Sequence, residues 1–334
     1  MNRCGGCIPE ERKTDMALLL LRQVVTMFIL IAVGYVLYRT KKISGESGKI
    51  FGNLLIYVSL PCVIVKSFLI GKTPEMTRGL LISAAAALAS LLVSMLISAL
   101  FFKKDGIASF AGAFSNPGFF GIPLITASLG DGAVVYVAFY IAFLNLLQWS
   151  YGTMLLTRKT ARRADSGTSG LPGAAAAALS MVKRLVTAPF MIAIIIGLLL
   201  YASGITLPSV ITQSVGILAG LNTPVAMFAI GVYLAGVKPS VMMRRKSLPM
   251  ISMVRLVLVP LATLVILFLL PSSCPKELPL AILISSACPV GSNIAVYARL
   301  YGADDAYATE TVIYSTLLCI VTIPLIAMLA GRVL

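Results

Sequence analysis

Two short stretches carry most of the polar chemistry that lies inside apolar surroundings. Ser115-Asn116-Pro117-Gly118-Phe119-Phe120-Gly121-Ile122-Pro123 sets prolines, glycines and an asparagine inside one apolar segment. Ala287-Cys288-Pro289-Val290-Gly291-Ser292-Asn293 interrupts another. Proline lacks the N–H a helix needs and clashes with the preceding turn, so each stretch predicts a broken helix. A half-helix that restarts after such a break points orphan N–H groups and a partial positive charge at its surroundings, which suits an anion. The Asn116 amide adds two donors and an acceptor, and Asn293, one turn after Pro289, is its candidate counterpart. Ser115 and Ser292 supply hydroxyls, while Gly118 and Gly291 permit close backbone approach. The chemistry on offer is non-covalent recognition of a carboxylate. The bland reading is a pair of packing kinks, with asparagines as glue and serines bonding their own helix carbonyls.

The elements that must hold these stretches are membrane helices. The chain has 334 residues, 59% of them hydrophobic, and a mean hydropathy of +0.97, which defines an integral membrane protein. Apolar spans are predicted over 17–38, 51–70, 79–102, 107–129, 133–156, 185–201, 213–235, 248–270, 278–297 and 307–330. The two breaks fall in the fourth and the ninth. A basic run at Arg158-Lys159-Thr160-Ala161-Arg162-Arg163 and a Gly/Ser/Ala stretch then divide the chain. The expected organisation is an N-terminal tail over 1–16, a five-helix unit over 17–157, a linker over 158–183 and a second five-helix unit over 184–334.

The halves repeat. Gly34 and Gly197, Tyr38 and Tyr201, and Pro61 and Pro224 are each 163 residues apart. Pro117 and Pro289, and Gly130 and Gly302, are 172 apart. Five is an odd number of spans, so the second copy enters the membrane from the opposite side. Inverted repeats with paired interrupted segments point to a transporter binding site at the membrane midplane.

Net charge is +15, but the basic residues sit in loops, where they read as topology signals and not as a nucleic-acid surface. Loops after the odd-numbered spans hold Arg39, Lys41, Lys42, Lys103, Lys104, Arg158, Lys159, Arg244, Arg245 and Arg299. The alternate loops hold few, with Lys72, Arg78 and Lys276 as exceptions. The positive-inside rule then puts the central loop in the cytoplasm and both termini outside a multi-pass protein of the cell membrane.

Charged residues within spans are costly and therefore candidates for function. Arg255, in span eight, either neutralises an anionic substrate or snorkels to the surface. Lys66, near the outer end of span two, reads as snorkelling. Glu310, near the start of span ten, is the candidate for proton coupling, against a helix-end carboxylate facing water. Asn145, Gln148 and Trp149 in span five read as interhelical bonding and an interface anchor. There is no histidine, and Cys4-Gly5-Gly6-Cys7 has redox spacing but no strand-helix context. No metal site and no cofactor are expected.

The run Asn116-Pro117-Gly118-Phe119-Phe120-Gly121-Ile122-Pro123-Leu124 resembles the auxin efflux carrier family, which includes bacterial malate-permease-like and plant PIN proteins. Leu129-Gly130, Asn145, Trp149, Gly152, Thr223-Pro224, Gly231 and Ala287-Cys288-Pro289 extend the likeness over nearly the whole chain. The resemblance implies an all-α fold of ten spans in two inverted repeats, with crossed helices four and nine. Spans one, two, six and seven would form a scaffold and the others a transport domain; scaffolds of this type often dimerise, so a homodimer is one implied state. Asn116 falls where the family has its crossover asparagine. Pro117 follows it here, whereas plant members place the proline before it. Span three lacks the acidic residue and the lysine that plant carriers hold there.

The expected function is alternating-access transport of a small organic anion or weak acid, auxin-like or a dicarboxylate, with coupling to H+, to Na+ or to nothing left open. A channel or a ligand-sensing receptor on the same fold is the alternative. An enzyme is disfavoured, because no paired carboxylates, Ser–Lys pair or phosphate-binding loop occurs at a suitable spacing.

Overall fold

The computed structural model describes residues 10–69, 73–157, 187–237, 242, 244–271 and 274–333. The cysteine pair near the N-terminus and the central linker lie outside these residues. Every regular element among those described is helical. In chain order they are α1 (Glu10–Arg39), α2 (Ser47–Phe68), α3 (Pro74–Phe101), α4 (Gly106–Ala113), α5 (Pro117–Leu129), α6 (Asp131–Thr157), α7 (Pro189–Ser203), α8 (Ser209–Gly236), α9 (Ser247–Phe268), α10 (Glu277–Ala287), α11 (Asn293–Leu300) and α12 (Asp305–Val333).

Seven helices among the described residues are long and apolar enough to cross a membrane, and α5, α7 and α10 are shorter apolar helices. The shortness has local causes. The fourth predicted span divides into α4 and α5, the ninth into α10 and α11, and α7 begins beside residues that are not described. The first helix starts at Glu10, inside the stretch read as a polar tail. Glu and Lys are good helix formers, and the apolar run that follows gives the helix a length over which to propagate.

Several positions paired by sequence spacing also share a backbone feature. Residues with left-handed φ among those described are Lys41 (58°), Gly130 (88°), Gly204 (68°) and Gly302 (68°). Gly130 and Gly302 form one of the pairs spaced by 172, and each ends a half-helix. Lys41 and Gly204 are 163 apart and follow α1 and α7. The same left-handed stop therefore ends the corresponding helix in each copy, although one copy places a lysine where glycine is easier.

Helices far apart in the chain pack closely. A Cβ on Gly231 of α8 would stand 2.3 Å from the Ile31 carbonyl oxygen of α1, and one on Gly34 of α1 would stand 2.7 Å from that of Phe228. The two backbones touch, as small residues allow where lipid offers no hydrophobic drive between helices. Gly197 of α7 abuts the Phe68 ring of α2. Thus α1 packs on α8, and α7 on α2.

Both paired prolines also mark irregularities. Pro61 follows a π-turn at Leu55–Ser59, and Pro224 follows an interruption of α8 at Leu221. Ser59 and Asn222, each two residues before its proline, are both buried.

Candidate substrate site at the helix breaks

The two breaks meet. Ser115 and Val290 form an isolated antiparallel bridge, and the Gly291 N–H donates to the Phe114 carbonyl at 3.0 Å. A Cβ on Gly291 would lie 2.8 Å from the Ser115 carbonyl oxygen, so glycine is what lets the strands close. The Val290 N–H donates to Ser315 Oγ of α12 at 3.0 Å. Extended backbone that would otherwise leave bare polar groups in the membrane is thereby answered from across the molecule.

Asn116 caps the helix that follows the first break. Its Oδ1 accepts from the Phe119 N–H at 3.4 Å, and its carbonyl accepts from Phe120 and Gly121. The side chain is 7% exposed, and Nδ2 has no hydrogen-bond partner among the described residues. Pro117 opens a π-turn over Pro117–Gly121. The Gly118 carbonyl accepts from Asn222 Nδ2 of α8 at 3.3 Å. Ser115 Oγ lies 3.4 Å from the Tyr140 hydroxyl. Across the crossing, Asn293 Nδ2 donates to Gln148 Oε1 at 3.2 Å, while Gln148 Nε2 is buried without a partner. Pro289 lies in the extended segment between α10 and α11, and Ser292 stands before α11 without making a side-chain cap. Gln148 is thus drawn to the second break, and Trp149 stacks edge-on against Tyr297 with ring centroids 5.4 Å apart.

Arg255 is the largest fully buried side chain, which excludes snorkelling. Its Nη1 donates to Ser94 Oγ at 3.2 Å, to the Gly112 carbonyl at 3.2 Å and to the Ala113 carbonyl at 2.9 Å. Its Nη2 donates to the Ser286 carbonyl. Those carbonyls belong to the last turns of α4 and α10, the helices that precede the two breaks. One guanidinium therefore caps both C-termini. Each end carries about half a negative charge, so two of them roughly balance one cation. This explains how a buried arginine is held without a carboxylate among its described partners. Its Nη1 and Nη2 are turned to the helix ends, while its Nε is buried without a partner among the described residues.

Glu310 does not face water. It is 4% exposed, and its Oε2 pairs with Arg245 Nε at 2.7 Å. Arg245 also pairs with Asp304 at 3.3 Å and lies over the Tyr307 ring, 4.7 Å from its centroid. The Tyr307 hydroxyl bonds Ser247 Oγ at 2.8 Å and Asp105 Oδ2 at 3.2 Å. This network ties together the starts of α4, α9 and α12, and among the described residues it shares no hydrogen bond with the two breaks.

Lys66 does not simply snorkel either. Its Nζ lies 2.6 Å from Asp131 Oδ2, at a cavity of about 200 Å3 between α2, α5 and α8. Sequence reasoning missed Asp131 and Asn222, both of which line this cavity. A signal for Asn222 was present: Ser59-Leu60-Pro61 and Asn222-Thr223-Pro224 carry polar residues at the same place before paired prolines.

The model of the family described as "Membrane transport protein" matches residues 19–327. A protein of Rhizobium meliloti (strain 1021) described as "Putative malonate transporter" is 27% identical over 312 residues, covering 90% of this chain and 92% of that relative. A match over nearly the whole length, on a chain of apolar helices broken at the residues that carry the resemblance, decides the family: the chain belongs to the membrane transport protein family of auxin-efflux and malate-permease-like carriers.

Proposed function

We propose that the protein carries a small organic anion across the membrane by alternating access, with the substrate held where the two broken helices meet. The observation that supports this best is the pairing of Ser115 with Val290 between the restarts of α5 and α11. The two C-terminal ends at that place are answered by Arg255, while the two N-terminal ends are not. Two helix N-termini supply about one positive charge between them, a match for one carboxylate. Asn116 Nδ2 and Gln148 Nε2 are the side-chain donors placed to meet it. The Rhizobium relative is described as a malonate transporter, which makes malonate the first substrate to try.

In this reading the seven long and three short apolar helices give ten spans in two inverted repeats. α1, α2, α7 and α8 form the scaffold, and the remaining helices form the moving part. The exchanged packing of α1 on α8 and of α7 on α2 supports that division. The central loop is cytoplasmic and both termini are outside.

The test is counterflow in proteoliposomes. With the membrane potential clamped by valinomycin and equal K+ on both sides, unlabelled malonate inside should still accelerate uptake of labelled malonate, which a channel cannot do under that clamp. Asn116→Ala removes a hydrogen bond to a charged ligand, so affinity should fall about tenfold to hundredfold. The lost cap should cost only about 0.5–2 kcal/mol of stability. Uptake that ignores internal malonate would overturn the carrier reading, and unaltered affinity in Asn116→Ala would move the site elsewhere.

A further inference from the structure

The cavity at Lys66 has a composition that the crossing alone does not explain. It is lined by Val63 and Lys66 of α2, Thr126 of α5, Asp131 at the start of α6, and Asn222 and Thr223 of α8, among others. Among the described residues, Lys66 is the one basic and Asp131 the one acidic side chain in that lining. They form an ion pair at 2.6 Å, with side-chain exposures of 38% and 50%. An ion pair this open to solvent is weak, so a second carboxylate can replace the first at little cost. By its share of liquid volume, the space holds about seven waters or a solute of similar size. The floor connects to the proposed substrate site: Asn222 Nδ2 bonds the Gly118 carbonyl, two residues after Asn116. Asn222 Oδ1 is buried and unpartnered, an acceptor suited to water or a ligand O–H.

We propose that Lys66 is the entry contact for the substrate anion and that the Asp131 carboxylate occupies it until a substrate carboxylate displaces it. The proposal rests on the organic-anion reading above and assigns the ligand class at this cavity as a small mono- or dicarboxylate. Asp131 suits the part of internal stand-in. It sits in the first turn of α6, where the helix end favours a negative charge, so it has a resting place once Lys66 is taken. Gly130 before it, with φ 88°, turns the chain so that the acid returns towards α2. The exchange is purely electrostatic: one carboxylate leaves the ammonium group as another arrives, and no proton moves.

A merely structural pair and a stand-in predict opposite signs for one variant. Malonate, with acetate as the single-carboxylate comparison, is titrated calorimetrically into the purified protein and its variants. Asp131→Asn removes the competitor, so malonate should bind about two- to fivefold tighter, the span set by the strength of exposed pairs. Lys66→Gln should weaken it about tenfold or more, and Lys66→Arg should retain most of the affinity. In the double variant the gain from Asp131→Asn should vanish. Unchanged or weaker binding in Asp131→Asn, with native melting temperature, would overturn the proposal. So would unchanged binding in Lys66→Gln, and if Asn116→Ala still abolishes binding in that case, only the Lys66 assignment falls. Failure of the wild type to bind either acid would remove the organic-anion reading and this one with it.

Discussion

Replacing Arg255 with methionine keeps most of the side-chain volume and removes the charge that caps α4 and α10. The size of the effect follows from the contacts. A unit charge about 4 Å from half an elementary charge gains roughly 2 kcal/mol at an effective dielectric of about 20, and two helix ends double that to roughly 4 kcal/mol. Ala113 O keeps a partner, because Ser94 Oγ donates to it at 2.6 Å. Gly112 O and Ser286 O lose their side-chain donor, at about 1–3 kcal/mol for each buried group left unmet. Against these losses stands the desolvation of the guanidinium, several kcal/mol that the variant no longer bears. The balance is a net destabilisation of about 2–5 kcal/mol. Arg255→Lys keeps the charge without the fork and should recover about half, since an ammonium cannot reach both helix ends with matched geometry. Detergent melting temperature and malonate counterflow are measured together. The expected order is wild type, lysine, methionine in both. An Arg255→Met protein that melts with the wild type and transports at its rate would refute the claim that one cation holds the two breaks together.

Three further perturbations test other parts of the argument. Gly231→Ala puts a methyl 2.3 Å from the Ile31 carbonyl, so α1 and α8 must separate; a loss of about 1–3 kcal/mol is expected from melting, and a neutral result would contradict the backbone contact. Glu310→Gln removes one of two carboxylates from Arg245 and leaves Asp304. If Glu310 carries a coupling proton, pH-driven malonate accumulation disappears while exchange persists; unchanged pH dependence assigns it to the network at the start of α12 alone. A cysteine at position 166 in a cysteine-free background should resist an impermeant thiol reagent in intact cells, whereas one at Arg332 should react. Labelling of position 166 from outside would reverse the topology.

The helices and both breaks were legible because proline and glycine act locally. Pro117 and Pro289 each stand among glycines, and it is that combination which marks a break, whereas Pro324 lies inside α12 without ending it. Gly130 and Gly302, paired by spacing, have no Cβ and so take a positive φ easily. Lys41 gave no such sign: only its place 163 residues before Gly204 links it to a left-handed turn. The site was legible in its breaks and obscure in its charges. Arg255, Lys66 and Glu310 were each visible as charges in apolar segments, but their partners lie across the chain. Arg255 is answered from α4 and α10, Lys66 from α6, and Glu310 from Arg245 in the connection before α9. A single sequence carries no register between distant helices, so a charge that snorkels and a charge that is paired look alike in it.

The two breaks are also met by different chemistry. α3 meets the first break with hydroxyls: Ser94 Oγ donates to the Ala113 carbonyl and Ser98 Oγ to the Ser109 carbonyl, each at 2.6 Å. α9 supplies the charge instead, and Arg255 serves both copies from one side. Hydroxyls satisfy carbonyls without adding charge, whereas the guanidinium cancels about one negative unit contributed by two helix ends. What remains uncancelled is the positive contribution of the two restarting helices, α5 and α11. A site that held a cation would need the reverse arrangement, with C-terminal carbonyls free and N-termini capped by acids. Here no acid caps α5 or α11: Asn116 stands before one and Ser292 before the other. On the carrier reading proposed above, a preference for an anion would be set by which ends the chain neutralises: by the placement of one arginine and by caps, Asn116 and Ser292, that carry no carboxylate.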